Sequence, residues 1–466
     1  MPESLQNSEF FTDEKFSAVS EIIFILLCAT LVFSTVAFGA VDVWALGVNA
    51  FFTGLLVIFW TADALLKKEF RFDTSSLQIP LTGLILIGLI QLLPLRSVNL
   101  PADLLAETAV GSLSLAPYAT RLAIVQLVVY LIFFAAAQTY VSNENRLRKI
   151  VIVIIGFSSL MAFYGILQRL AGLNAIYGLR VSSQAVPFAS FINQHHFAAF
   201  MEMTMGLTLG LLFGKKTTKN NKRIFLVIAV VVMGIALVFT SSRGGIVSLL
   251  AVVGFIVIKS LRDKSIEDND PAAEPVNVLR RSLFYVGGGL ILILTLFGAV
   301  LLLGGDNALM RGVGMGNTGD VSSGRFHFWE IGWRIFFDYP ILGAGLDAFG
   351  TVFPHYDTWN GTFRVEQAHN DYLQIAADAG ILGLACVLAF IYLLFKKSRT
   401  TMSKASSRFG RGAATGALAG CFGILVHSFF DFPLRTPSNA FYFLILTVIA
   451  TNILSPQKIS RKKRIQ

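Results

Sequence analysis

The sequence is poor in charged residues, which make up only 14% of its 466 positions. A soluble protein carries about one quarter, so an array of soluble domains is excluded. The chain also has few cysteines, and Cys28, Cys386 and Cys421 all lie within apolar runs. Their positions match neither a metal site nor a disulfide framework.

Motifs of several common enzyme classes are also missing. No P-loop, GxSxG, CxxC or dinucleotide-binding motif occurs in a supporting context, so nothing suggests ATP use. The first residues are polar and rather acidic, without a basic region or a small-residue cleavage site, which favours a retained first helix over a signal peptide. The net charge of +10 comes from short basic clusters between apolar runs, a pattern that argues against a nucleic-acid partner.

Long apolar runs dominate what is present, with hydrophobic residues at 55% of the chain. The runs reach the roughly 20 residues that a helix needs to cross a bilayer. They predict an all-α integral membrane protein, embedded in the lipid bilayer, with about twelve transmembrane helices. The predicted spans are 19–38, 43–64, 78–94, 120–141, 149–170, 195–214, 223–240, 244–261, 282–304, 372–395, 412–430 and 438–455.

The basic clusters orient these helices. They follow every even-numbered span, and such clusters are typical of cytoplasmic loops, so both termini are predicted to be cytoplasmic. The resulting division has five parts: a cytoplasmic tail at 1–18, spans one to nine at 19–304, one large external loop at 305–371 between spans nine and ten, spans ten to twelve at 372–455, and a basic cytoplasmic tail at 456–466.

Lysine and arginine differ in their placement across the predicted membrane. Every lysine lies on the cytoplasmic side. Arginine grips phosphate or carboxylate at two points, whereas lysine is a point charge. The external basic residues are all arginines, which suits either the binding of an anionic ligand or structural roles. They are Arg96, Arg121, Arg169, Arg180, Arg243, Arg311, Arg325, Arg334, Arg364 and Arg435.

Polar clusters lie at the predicted external ends of helices, where ionisable groups are costly. Asn193, His195 and His196 precede span six, and Glu202 lies on the same helical face as His195. Adjacent histidines point apart on a helix, so this cluster favours an anion-binding or orienting helix start over a metal site. Arg243 opens span eight, where free backbone N–H groups suit a phosphate; the alternative is a plain turn with a snorkelling arginine.

Two further clusters flank spans ten and eleven. His369 lies where the external loop re-enters the membrane, and it suits either proton transfer near neutral pH or helix capping and packing. Asn370 or Asp371 is the expected cap of span ten. His427 and Asp431 are four residues apart, and we expect them to pair structurally, the alternative being that both line an external cavity. The aromatic stretch 326–339 predicts a helix, either at the membrane surface or packed in a small outer domain.

Four passages resemble the O-antigen ligase and Wzy-type polymerase family of bacterial membrane glycosyltransferases. They are Asn193–Ala198, Ser242–Arg243, Arg325 with Trp329 and the Pro340–Gly345 run, and Ala368–Leu373. The predicted layout, with one large external loop after span nine, is similar as well. The resemblance implies a periplasmic loop and the bacterial inner membrane.

The resemblance also implies the chemistry. The donor would be a glycan on undecaprenyl diphosphate at the periplasmic face, transferred without nucleotide, metal or other cofactor. The acceptor would be the lipid A core in a ligase, a second lipid-linked glycan in a polymerase, or a protein side chain in an oligosaccharyltransferase. Ligase and polymerase are not separable from the sequence.

Roles for individual residues follow from this resemblance and from side-chain chemistry. We expect Arg243 and Arg325 to hold the diphosphate and stabilise its charge as it leaves. His369 would take the proton of the acceptor hydroxyl, with inversion at the anomeric carbon. The further substrate-binding candidates are Arg180, Asn193, His195, Arg364, Asn370 and Tyr372.

Two other classes of function compete with this interpretation. A secondary transporter would explain the many spans and Glu202, but it usually shows internal repeats and broken helices at matching positions, and the sequence has no convincing repeat. A scaffold protein would leave the external arginines and histidines unexplained.

Overall fold

The computed structural model describes residues 17–98, 109–182, 185–214, 220–267, 324–359, 364–405 and 407–453. Over these residues the chain is mostly helical, with two short antiparallel strand pairs, β1 (Arg96–Val98) with β2 (Ala109–Gly111) and β3 (Ala175–Ile176) with β4 (Arg180–Val181). The helices are α1 Ala18–Val36, α2 Val43–Lys67, α3 Gln78–Gln91, α4 Pro117–Tyr140, α5 Glu144–Leu170, α6 Gln194–Phe213, α7 Asn220–Phe239, α8 Arg243–Glu267, α9 Arg325–Asp338, α10 Phe349–Val352, α11 Asp371–Lys404, α12 Arg408–His427 and α13 Pro437–Thr451.

Eight of the described helices are long and apolar enough to cross a membrane, namely α1, α2, α4, α5, α6, α8, α11 and α12. Shorter apolar helices, α3, α7 and α13, lie where spans three, seven and twelve are predicted. Predicted span nine, 282–304, lies outside the described residues, as does the first part of the predicted loop. The chain is thus a multi-pass, all-α membrane protein, and a total of twelve spans stays a prediction.

Helices α6 and α12 form the centre of the fold, and nearly all of α6 is buried. Their contact is a seam of glycines at four-residue spacing, Gly206 and Gly210 on α6 against Gly416 and Gly420 on α12. A Cβ at Gly206 would lie 2.5 Å from the backbone nitrogen of Gly420, and one at Gly210 would lie 2.2 Å from the Cα of Gly416. Small residues let two helix backbones approach this closely in a membrane, so the seam holds the two helix ends that carry the site.

The outer helices expose apolar side chains away from this centre. Ile58 and Leu65 on α2, Ile152 on α5 and Phe225 on α7 are all exposed. A soluble protein rarely exposes so many large apolar side chains to water. The exposed positions therefore fit contact with lipid tails.

Helix α11 is broken at Gly380, whose φ of +64° suits glycine. The Pro340–Leu346 segment fills the break: the N–H of Ile381 donates to the Pro340 carbonyl at 2.8 Å, and the N–H of Ala344 donates to the Ala377 carbonyl at 2.9 Å. The break consequently leaves few backbone groups unpaired. It also ties the loop segment that follows α9 to the helix that follows His369.

One end of the bundle collects α1, α2, α4 and α5 around Asp63. This carboxylate accepts hydrogen bonds from the Ser17 hydroxyl at 2.7 Å, the Tyr140 hydroxyl at 2.9 Å and Lys67 at 2.9 Å. Arg146 is buried nearby and donates to the Tyr140 carbonyl at 3.1 Å. The start of α1 and the ends of α2 and α4 therefore lie at the same face, as alternating helix directions require.

Candidate active site

His369 and Asp431 meet at the end of the bundle where α11 begins. Nδ1 of His369 lies 3.0 Å from Oδ1 of Asp431. The segment that carries Asp431 is fastened to the start of α11, because the Ser428 hydroxyl donates to Oδ2 of Asp371 at 2.8 Å and the N–H of Asp371 donates to the Ser428 carbonyl at 2.9 Å. These bonds bring two regions 62 residues apart in sequence into contact.

The backbone of His369 is in the left-handed region, with φ +52°. This conformation is uncommon for a residue other than glycine and costs free energy unless the surroundings enforce it. The surroundings do so here: the N–H of the preceding Ala368 donates to Oε1 of Gln374 at 2.6 Å, and the following Asn370 caps α11. The His369 ring also packs edge-on against Phe432, with the ring centroids 4.8 Å apart.

Arg325, the first residue of α9, points at the same carboxylate. Its Nη2 lies 3.7 Å from Oδ2 of Asp431, so the histidine and the arginine face different oxygens of one carboxylate. The Asp431 side chain is only 2% exposed, whereas those of His369 and Arg325 are 29% and 27% exposed. We call Arg325, His369 and Asp431 the His369 cluster: a buried anion that orients two half-exposed groups.

The charge state of Asp431 follows from its neighbours. Burial by itself raises the pKa of this carboxyl, but the hydrogen bond with His369 and the neighbouring imidazoles outweigh burial and hold the pKa below its usual range. Asp431 is therefore ionised at neutral pH. An ionised partner at Nδ1 makes that nitrogen the donor and leaves Nε2 of a neutral His369 as an acceptor.

Helix α8, which begins at Arg243, lies beside this cluster. The Ser242 hydroxyl accepts a bond from the Gly245 N–H at 3.2 Å and caps the helix. A Cβ at Gly244 would lie 2.9 Å from Nε2 of His427 and 3.5 Å from Cβ of Phe430. The start of α8 thus packs on the segment that leads to Asp431, and Arg243 itself is exposed.

His427 pairs with Glu202 in the interior. Its Nδ1 lies 3.2 Å from both carboxylate oxygens of Glu202, and the two side chains are 1% and 0% exposed. Our expectation that His427 pairs with Asp431 is wrong. Helix α12 ends at His427, so the chain leaves the helix before Asp431, and the two side chains turn to different partners.

The start of α6 completes the surroundings of the cluster. The Asn193 side chain caps this helix by accepting from the N–H of His195 at 2.8 Å. The His195 side chain lies close enough to Asp431, Arg325 and His369 to interact with them electrostatically. Nδ1 of the buried His196 lies 2.7 Å from the Thr436 hydroxyl.

Four other substrate-binding candidates have structural partners. Asn370 accepts from the N–H groups of Tyr372 and Leu373, at 3.0 and 3.1 Å, and the Tyr372 hydroxyl donates to the Leu425 carbonyl at 2.7 Å. Arg180 forms a two-point ion pair with Asp42, and Arg364 lies 2.5 Å from Glu366. The last two show no contact with the His369 cluster among the described residues.

A cavity of about 570 Å³ lies next to the cluster. Its walls are mostly apolar side chains of α3, α4, α11 and α13, and the polar groups at its lining include His196, Asp371 and Arg435. Phe432, which packs on the His369 ring, is part of the lining. Within the described ranges, no three His, Cys, Asp or Glu side chains are grouped as metal ligands.

Residues 228–388 match the protein family described as O-Antigen ligase. The match runs from within α7 to within α11 and covers about a third of the chain. The match confirms the family resemblance, and it covers Arg243, Arg325 and His369, while His195, His427 and Asp431 lie outside it. No curated protein matches the chain.

The family match and the apolar helices together support a membrane glycan-transfer function. Sequence reasoning missed Asp431 as a site residue and gave Glu202 no partner. The available signal was the clustering of Asp431, His427 and Arg435 at one helix end. Only the fold identifies which imidazole each carboxylate meets.

Proposed function

We propose that the protein transfers a glycan from undecaprenyl diphosphate to an acceptor hydroxyl at the periplasmic face of the bacterial inner membrane. The observation that carries this proposal is the His369 cluster, in which one buried carboxylate orients an imidazole and a guanidinium side by side. A base for the hydroxyl and a cation for the departing diphosphate are the two groups that the reaction needs. Both termini would then be cytoplasmic, and 305–371 would lie in the periplasmic loop.

The proposed step moves one proton and one glycosyl group. The acceptor oxygen attacks the anomeric carbon and forms the new C–O bond while the bond to the diphosphate oxygen breaks. The hydroxyl proton passes to Nε2 of His369, and Asp431 stabilises the resulting imidazolium through Nδ1–H. The bonding electrons leave with the diphosphate, and attack from the opposite side inverts the anomeric carbon.

The arginines act on the leaving group in this proposal. Arg325 at the start of α9 and Arg243 at the start of α8 supply positive charge where the diphosphate charge develops, and two helix N-termini add to it. Neither nucleotide nor metal has a role in this scheme. The apolar cavity beside Phe432 fits a lipid-linked substrate, because a hydrocarbon chain is stabilised by apolar walls.

The lipid A core is the proposed acceptor, as in an O-antigen ligase. Deleting the gene and analysing surface polysaccharide tests this choice. Loss of attachment with long lipid-linked chains accumulating supports the ligase. Accumulation of single repeat units would indicate a Wzy-type polymerase, and loss of a glycoprotein would indicate an oligosaccharyltransferase. Unchanged glycans with altered solute uptake would contradict glycan transfer and favour a transporter.

A further inference from the structure

An aromatic pair, His327 of α9 and Trp359 of the segment after α10, lies next to the His369 cluster. The ring of His327 stacks on the indole of Trp359, with centroids 4.1 Å apart and planes 7° from parallel. Asp357 contacts both residues: its Oδ1 lies 2.8 Å from Nε2 of His327 and accepts the backbone N–H of Trp359 at 3.0 Å. These bonds position the His327 ring and the backbone of residue 359, and the stacking aligns the two rings.

The pair still presents an open surface. His327 and Asp357 are only 11% exposed, while Trp359 is 46% exposed. Since His327 covers one face of the indole, the exposure belongs to the remaining face and edge. The hydrogen bond from His327 lowers the pKa of Asp357, so an ionised carboxylate lies beside the pair.

Two contacts link the pair to the proposed chemistry. The Phe328 ring lies between the aromatic pair and His369. Its centroid is 6.0 Å from that of Trp359 and 5.8 Å from that of His369. A Cβ at Gly324, the residue before Arg325, would lie 3.2 Å from Cη2 of Trp359. The indole is thus within the reach of a short glycan whose diphosphate end lies at Arg325.

A flat aromatic face beside a hydrogen-bond acceptor matches the chemistry of a sugar ring. A pyranose presents axial C–H bonds on one face, which pack on the electron-rich face of an indole, and hydroxyl groups at its edge, which donate to a carboxylate. We propose that Trp359, backed by His327 and bordered by Asp357, binds a pyranose ring of a glycan substrate. This inference rests on the proposed glycan transfer.

The test compares Trp359→Ala with Trp333→Ala in the purified full-length protein in lipid nanodiscs. Trp333 is a matched control because it lies on α9, the helix that carries His327, is 49% exposed and stacks on Phe337. For Trp359→Ala, the KM of one glycan substrate should rise about tenfold, the loss expected for one aromatic stack. The kcat and the inhibition constant of sugar-free undecaprenyl diphosphate should stay within about twofold of wild type.

The pattern of KM values identifies the source of the sugar. A rise for the lipid-linked donor alone assigns the ring to the donor glycan, and a rise for the acceptor alone assigns it to the acceptor. Trp359→Tyr should restore most of the binding and Trp333→Ala should behave as wild type. Unchanged KM values, or an equal weakening of the sugar-free diphosphate, would overturn the subsite and leave Trp359 as a packing or membrane-surface residue.

A separate measurement keeps the subsite testable if the wild type transfers no glycan, an outcome that would refute the proposed function. Saturation-transfer NMR with the soluble oligosaccharide released from the host's lipid-linked donor needs binding but no turnover. Binding to wild type and Trp333→Ala, but not to Trp359→Ala, would support the subsite. Equal signals from all three proteins, or no signal from wild type, would refute it.

Discussion

Two buried aspartates, Asp63 and Asp431, lie at opposite ends of the predicted bundle, and each side chain is only 2% exposed. Asp63 accepts from Ser17, Lys67 and Tyr140, so its bonds join the ends of three helices. Asp431 instead meets His369 and Arg325, which are 29% and 27% exposed. The same buried carboxylate thus serves as a clamp at one end and as an orienting group at the other.

Structural and functional carboxylates in this fold differ in what their partners can do. Burial and several polar partners occur at both ends, so neither feature marks a site. The distinguishing feature is that the partners of Asp431 keep reactive atoms directed away from it: Nε2 of His369 and the rest of the Arg325 guanidinium. Partial exposure alone does not separate the two ends, because Lys67 beside Asp63 is 25% exposed. Of the two aspartates, only Asp431 has an imidazole among these partners, and an imidazole can take up a proton near neutral pH.

The sharpest way to break this comparison is to neutralise each aspartate in turn. Asp431→Asn should lower the rate of glycan transfer about 100-fold or more, because His369 loses the anion that orients and stabilises it. Asp63→Asn should leave the rate within about threefold and instead lower the thermal midpoint, because a buried clamp loses roughly 1–3 kcal/mol. Transfer rates and melting curves of both purified variants provide the comparison; equal losses of rate would contradict it.

A smaller effect is expected from changing the shape of a cation while keeping its charge. Arg325→Lys should raise the donor KM about tenfold, because a lysine cannot reproduce the two-point geometry of a guanidinium. Arg180→Lys is the control, since Arg180 pairs with Asp42 away from the cluster. Donor titrations with each variant decide the matter. If Arg180→Lys raised the donor KM more than Arg325→Lys did, the diphosphate site would have to be assigned to the surroundings of Arg180.

The smallest expected effect comes from the packing between α8 and His427. In Gly244→Ala the added Cβ would lie 2.9 Å from Nε2 of His427. His427 is buried and paired with Glu202, so we expect the start of α8 to shift and to carry Arg243 with it. The donor KM should rise roughly fivefold, since small displacements of binding groups are costly. Gly254→Ala on the same helix is the matched control, because its Cβ meets nothing within 4 Å. Identical KM values for the two variants would show that this packing does not position Arg243.

The sequence predicted the helices well because bilayer spans depend on local composition. Apolar length predicts the starts of α1 to α8 and α11 to α13 to within about five residues, but α11 ends nine residues and α8 six residues beyond the predicted spans. The break in α11 was not predicted, since it depends on a distant segment, Pro340–Leu346, that supplies backbone partners. The sequence shows a short run with two glycines, Gly343 and Gly345. It does not show that this run fills a break in another helix.

The site was predicted in part for a related physical reason. Arg325, an arginine of the predicted external loop, and His369, at the re-entry of that loop into the membrane, are recognisable from the sequence, and the structure brings both to one carboxylate. That carboxylate was assigned to His427 because helical spacing was extended one turn beyond the true end of α12. Arg180 was chosen for its chemistry alone, and its pairing with Asp42 depends on tertiary structure that spacing does not contain.

The central claim is that His369 is the base that removes the acceptor proton. The direct measurement is a single-turnover assay of purified His369→Ala with lipid-linked donor and acceptor, alongside His355→Ala as an exposed histidine of the same predicted loop. We expect the transfer rate of His369→Ala to fall about 1,000-fold, with donor binding nearly unchanged and His355→Ala active. Full activity of His369→Ala would contradict it.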